Sequence, residues 1–131
     1  MRKRKGQVIF LLIVVLDQLA KFFFLKTGVL INKGISFGLF ENPFFSKLLL
    51  FILPFFIAVF FVFSIKKFPR SLSLVLIIGG GLSNYLDRVI RGGVVDYLSF
   101  WLFPAFNLAD AVIALGFALF LVDFRKKQKV S

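Results

Sequence analysis

The stretch from Val8 to Leu25, VIFLLIVVLDQLAKFFFL, decides how the rest of the chain is read. Its length falls within the range of about 17–25 residues that a helix needs to cross a bilayer. Three polar residues interrupt it, Asp17, Gln18 and Lys21. Ionisable side chains inside hydrocarbon are costly, so those that persist there face the interior of a bundle and mark function. Asp17 and Lys21 are four apart, which puts them on one helix face within ion-pair reach. At about 1.5 Å per residue, Asp17 lies roughly 14 Å into the span and Lys21 roughly 20 Å, past the midplane. Such a pair either neutralises itself and fixes how the first helix packs, or it meets a substrate or a catalytic group.

Composition agrees with a membrane setting. Of 131 residues, 60% are hydrophobic and 21 are Phe, whereas soluble domains run at about 45–50% apolar. The chain has no Cys and no His. Thiol nucleophiles, disulfides, Ser-His-Asp triads and His-based zinc sites are therefore excluded, and an enzyme here must work with carboxylates, Lys, Arg, Tyr or a hydroxyl. The formal net charge of +11 would suggest nucleic acid in a soluble chain, but the charge sits at the ends of apolar runs. It reads instead as a set of topology signals facing anionic lipid, with membrane lipid and no nucleic acid as the partner.

Three further stretches are long and apolar enough to span. They are 48–65, with Pro54 as a kink, 71–86, with the triple glycine Gly79 to Gly81, and about 105–124. Helix is the open-ended structure that satisfies its own backbone in hydrocarbon, and the runs lack the alternation of outer-membrane strands. The expected fold is all-α and polytopic: four transmembrane helices in one domain, 1–131, with a small β-like extracytoplasmic segment in 27–46 after the first helix. Eleven Lys and Arg fall on the side of both termini and five on the other, which places the termini in the cytoplasm. The start resembles a secretory signal, but no small-x-small site follows, so an uncleaved first span is expected. The outer stretch 87–103 ends in Phe100, Trp101 and Phe103, aromatics suited to the headgroup level.

Polar residues concentrate on the outer side. In GGGLSNYLDR, 79–88, Asn84, Asp87 and Arg88 share a helix face. Arg88 is either a snorkelling interfacial charge or a functional one, and Arg91 reads as an ordinary interface charge. Asp96 lies among apolar residues, and Asp110 heads the fourth span, where Asn107 would cap the helix and Asp110 would take its third position. Alternatively the two acids meet in a dry site, where both cannot ionise at once, which supplies a base and an acid from one residue type. Asp123 and Glu41 read as solvated charges.

The segments DQLAK (17–21), NKGISFG (32–38), GGGLSNYLDR (79–88), GGVVDYLSF (92–100) and PAFNLADAVI (104–113) together resemble the lipoprotein signal peptidases, the type II signal peptidases of bacteria. The resemblance implies that Asp96 and Asp110 form an aspartic protease dyad. It implies that Asn32, Asn84, Arg88 and Asn107 surround the substrate, and that Asp17, Lys21 and Asp87 support the fold and site. Tyr97 stands where Phe is common in that family, and Ile35 and Ser36 replace the usual small pair after Gly34.

The implied substrate is a prolipoprotein carrying a diacylglyceryl group on its lipobox cysteine, cut just before that cysteine at the outer face of the bacterial inner membrane. No metal or other cofactor is expected, a monomer is, and cyclic peptide antibiotics such as globomycin are implied as inhibitors. Two readings from other classes compete: a small transporter with Asp17 and Lys21 as a proton or ion relay, and a non-enzymatic assembly factor.

Overall fold

The basic N-terminal cluster and the apolar run behind it fold as α1, Lys3–Lys26. The structure, a computed structural model, describes residues 3–33, 44, 48, 52, 56 and 71–130. With 24 residues and about 1.5 Å of rise per residue, α1 exceeds the hydrocarbon thickness of about 30 Å. Among the described residues it is the one helix whose length and composition alone suffice to cross a membrane. Its faces are inverted relative to a soluble helix: Leu11, Val15, Leu19 and Phe23 are exposed, while Asp17 and Lys21 are wholly buried. That arrangement suits apolar surroundings and a polar interior. The helix ends where Gly28 adopts φ 89°, a left-handed conformation open to glycine.

Two more helices complete the described bundle, α2 at Leu72–Arg91 and α3 at Leu108–Val130. α2 packs against both α1 and α3. Small residues set the second contact. A Cβ on Gly80 would lie 2.6 Å from the Ala109 carbonyl oxygen, and one on Gly116 would lie 2.9 Å from that of Ser73. Such close approach is how helices associate without a hydrophobic drive between them. At the far end of the pair, Ser71 donates its hydroxyl to Asp123 at 3.1 Å, so Asp123 is an inter-helix acceptor and not simply a solvated charge.

Short strands lie at the other end. β1, Ile31–Asn32, pairs antiparallel with β2, Val94–Val95, matching Asn32 to Val94. β3, Leu98–Phe100, and β4, Phe103–Phe106, form a hairpin around Trp101 and Leu102. The expected β-like segment after the first helix is therefore present at β1, with its partner supplied from beyond α2. The remainder of that segment, Gly34 to Gly38 and Glu41 included, lies outside the described residues. So does the expected span 48–65 with Pro54, apart from Leu48, Ile52 and Phe56, which are helical.

Two boundaries differ from the sequence reading. The helix expected over 71–86 continues to Arg91, because the Gly92 N–H caps it on the Arg88 carbonyl at 3.1 Å with φ 74°. The helix expected from about 105 starts at Leu108, because residues 105 and 106 pair in β4 and Asn107 caps.

The α2–α3 contact yields a test. Gly80→Ala forces a methyl against the Ala109 backbone, and equilibrium unfolding in mixed micelles should show a loss of about 1–3 kcal/mol.

Candidate active site

Three helix-borne charges form the floor. Lys21 Nζ lies 2.6 Å from Asp17 Oδ2 and 3.0 Å from Asp87 Oδ2, and donates to Asn84 Oδ1 at 2.9 Å. An ammonium has three donors, and all three are used. Asp17 is filled on both oxygens: Oδ2 also accepts the Ser83 hydroxyl at 2.6 Å, and Oδ1 accepts the Tyr97 hydroxyl at 3.0 Å and the Ala109 N–H at 3.2 Å. Asp87 likewise accepts Gln18 at 2.9 Å, the Val95 N–H at 3.0 Å and an ion pair from Arg91. Burial of such charges is tolerable because each lone pair and proton has a partner.

Above the floor stand the asparagines. Asn84 passes the Lys21 contact on: its Oδ1 accepts from Lys21 and from Asn107 Nδ2 at 3.0 Å, and its Nδ2 donates to Asp110 Oδ1 at 2.8 Å. Asn107, wholly buried, also donates to Asp96 Oδ1 at 3.0 Å. Asp96 Oδ2 accepts Asn32 Nδ2 at 2.9 Å, an approach that the β1–β2 pairing makes possible. Arg88 is buried among the same groups, and its charge interacts with Asp96, Asp110 and Asp87.

Local sequence explains the head of α3. Asn107 Oδ1 accepts the Asp110 N–H at 2.9 Å while Asp110 Oδ2 accepts the Asn107 N–H at 3.2 Å. This is a reciprocal cap of the capping-box kind. The cap read from sequence for Asp110 is therefore present: one carboxylate oxygen serves it, and the other accepts from Asn84. Burial pushes the Asp96 carboxyl above its ordinary value, helped by the Asp110 charge and opposed by the Asn32 and Asn107 hydrogen bonds.

Residues 9–126 match the family model described as signal peptidase II. The chain belongs to the signal peptidase II family. Signal peptidases II cleave lipoprotein signal peptides, and two solved structures similar to this member are bacterial membrane enzymes determined by the in meso method. One has a TM-score of 0.74 and 23% identity over 96% of this chain and 90% of that chain. Another has a TM-score of 0.70 and 23% identity over 93% of each. They share the fold.

In this member of the signal peptidase II family, the residues singled out from sequence, Asp17, Lys21, Asn32, Asn84, Asp87, Arg88, Asp96, Asn107 and Asp110, converge on one region. Arg91 corrects its reading as an ordinary interface charge: it pairs with Asp87 and donates to Gln18 Oε1 at 2.8 Å. Its i, i+4 spacing from Asp87 was the available signal. Gln18 stands out in sequence only as a polar interruption of the first span, and Ser83 not at all. Neither is charged, and only the docking of α1 on α2 reveals that Gln18 Nε2 donates to the Ser83 carbonyl at 2.9 Å.

Lys21→Met leaves two buried carboxylates facing each other, and unfolding in mixed micelles should show a loss of about 3–5 kcal/mol. Asp96 behaves in the opposite sense. Its carboxyl holds a proton to higher pH when folded than when unfolded, so its contribution to stability is present below the ordinary carboxylate value and is lost as pH rises through the raised one. Asp96→Asn removes that loss, so melting curves recorded from acid to neutral pH should show the variant gaining on the wild type.

Proposed function

We propose that this chain is an intramembrane aspartic endopeptidase that removes the signal peptide from diacylglyceryl-modified prolipoproteins, cutting just before the lipidated cysteine. The observation that carries the reading is the Asn107 side chain, which donates to Asp96 with its nitrogen and accepts the Asp110 N–H with its oxygen. A single buried carboxamide thus gathers two acids in a chain without His or Cys.

In this reading residues 1–131 form one membrane domain of four spanning helices: α1, the span at 48–65, α2 and α3. Both termini face the cytoplasm, and the acids open to the extracytoplasmic side of the inner membrane. The basic clusters at 2–5, 66–70 and 125–129 support that orientation. The enzyme acts as a monomer and is inhibited by globomycin-type cyclic peptides.

Asp110 is the base. It is the third residue of α3, where the helix dipole favours negative charge, and the Asn84 amide that bonds it is polarised by Lys21. Asp96 keeps its proton. Asp110 takes a proton from water as the oxygen attacks the scissile carbonyl, and Asp96 gives its proton to the carbonyl oxygen. On collapse the C–N bond breaks, Asp110 returns its proton to the cysteine amine, and Asp96 recovers one from the hydroxyl. Arg88, Asn32 and Asn84 hold the peptide over the acids. The relay alternative for Asp17 and Lys21 is disfavoured, because their hydrogen-bonding capacity is filled.

Asp96→Asn and Asp110→Asn should each abolish cleavage of a diacylglyceryl-modified lipobox peptide in micelles while circular dichroism and melting show a folded protein. Turnover retained by either variant contradicts the dyad.

A further inference from the structure

Three backbone N–H groups open α3, and each is bonded by a side chain of a different segment. The Asp110 N–H goes to the Asn107 cap at 2.9 Å, the Ala109 N–H to Asp17 of α1 at 3.2 Å, and the Leu108 N–H to the hydroxyl of Tyr97 at 3.1 Å. The third bond has an uncommon donor arrangement. Tyr97 Oη accepts from Leu108 while donating to Asp17 Oδ1 at 3.0 Å, so the phenol closes a ring of contacts between α1, the strand segment and α3.

Position gives that ring its consequence. Tyr97 directly follows Asp96, and Leu108 precedes Asp110 by two residues. A fixed distance from Tyr97 to Leu108 and Asp17 therefore limits how far the two acids move relative to one another. We propose that Tyr97 is a positioning residue, whose hydroxyl locks the segment carrying Asp96 onto the head of the helix carrying Asp110. The inference rests on the reading of those two acids as the cleaving pair.

Two features keep the phenol in place. Its ring stacks on Phe24 of α1 with centroids 4.8 Å apart and planes 3° from parallel. Burial, reinforced by the nearby Asp17 carboxylate, pushes its ionisation well above the ordinary phenol value, so it remains an O–H donor at working pH. Phe at this position keeps the ring and its stacking on Phe24. Tyr97→Phe therefore tests what the hydroxyl adds in this chain.

The test combines kinetics with hydrogen exchange on the full chain in micelles. With a diacylglyceryl-modified lipobox peptide as probe, Tyr97→Phe should lower kcat about tenfold, a misplacement effect, with KM within about twofold of wild type. Amide exchange at Leu108 should be protected in the wild type and faster in the variant, while exchange along α1 stays unchanged and the melting temperature falls only by the few degrees that one lost hydrogen-bond partner costs. Wild-type kcat in the variant overturns the proposal. So does an unprotected Leu108 amide in the wild-type chain, which needs no variant to fold. A kcat loss accompanied by a raised KM and faster exchange along α1 also overturns it, since that is general loosening. Absence of cleavage by the wild type sinks the peptidase reading instead, and the exchange data still judge the tether.

Discussion

The structure depends on one buried cation. Lys21 places an ammonium with no solvent exposure between the carboxylates of Asp17 and Asp87 and the carbonyl oxygen of Asn84. Leaving such a charge unpaired in a low-dielectric interior costs several kcal/mol. The partners come from two helices, so satisfying Lys21 fixes the depth and rotation of α1 against α2. The gathering of polar groups then propagates outward. Asp17 reaches the head of α3, Asp87 reaches the β2 backbone at Val95, and Asn84 reaches Asp110.

The carboxylates of the site fall into two kinds of surroundings. Asp17 and Asp87 have their lone pairs occupied by ammonium, guanidinium, hydroxyl and backbone donors, which suits rigid support. Asp96 and Asp110 each accept side-chain amides, and Asp110 also accepts a backbone N–H. They lie at the edge of the bundle where the β1–β2 pair and the hairpin begin, less deeply buried than the supporting pair. At Asp96 the amide hydrogen bonds favour the charged form while burial favours the neutral one, an opposition that suits the proton exchange proposed for it.

Much of the site was legible because charges inside apolar sequence are informative. The i, i+4 spacing of Asp17 and Lys21 reported their pairing, and the offset of Asn107 and Asp110 reported the cap. Arg91 was harder to read, since an Arg at a helix end serves equally as an interfacial anchor; its pairing with Asp87 depends on α2 continuing past residue 86. Gln18, Ser83 and the Tyr97 hydroxyl were hidden for a different reason. Their partners across the α1 interface are 65 to 80 residues away, and no local pattern encodes which uncharged group a docking helix will meet. The hairpin of β3 and β4 was likewise obscured, because its apolar residues match the helix that follows in hydropathy and only Pro104 and the register distinguish them.

In the proposed function a lipid-bearing substrate meets two acids held by a polar core inside an apolar bundle, and the acids alone perform the hydrolysis. The most direct measurement is mass spectrometry of the products formed by the wild-type protein from a diacylglyceryl-modified lipobox peptide, with a chelator present throughout. The account predicts one cut, leaving the lipidated cysteine as the new N-terminal residue. A cut at another bond, or loss of cleavage that added metal restores, would contradict it.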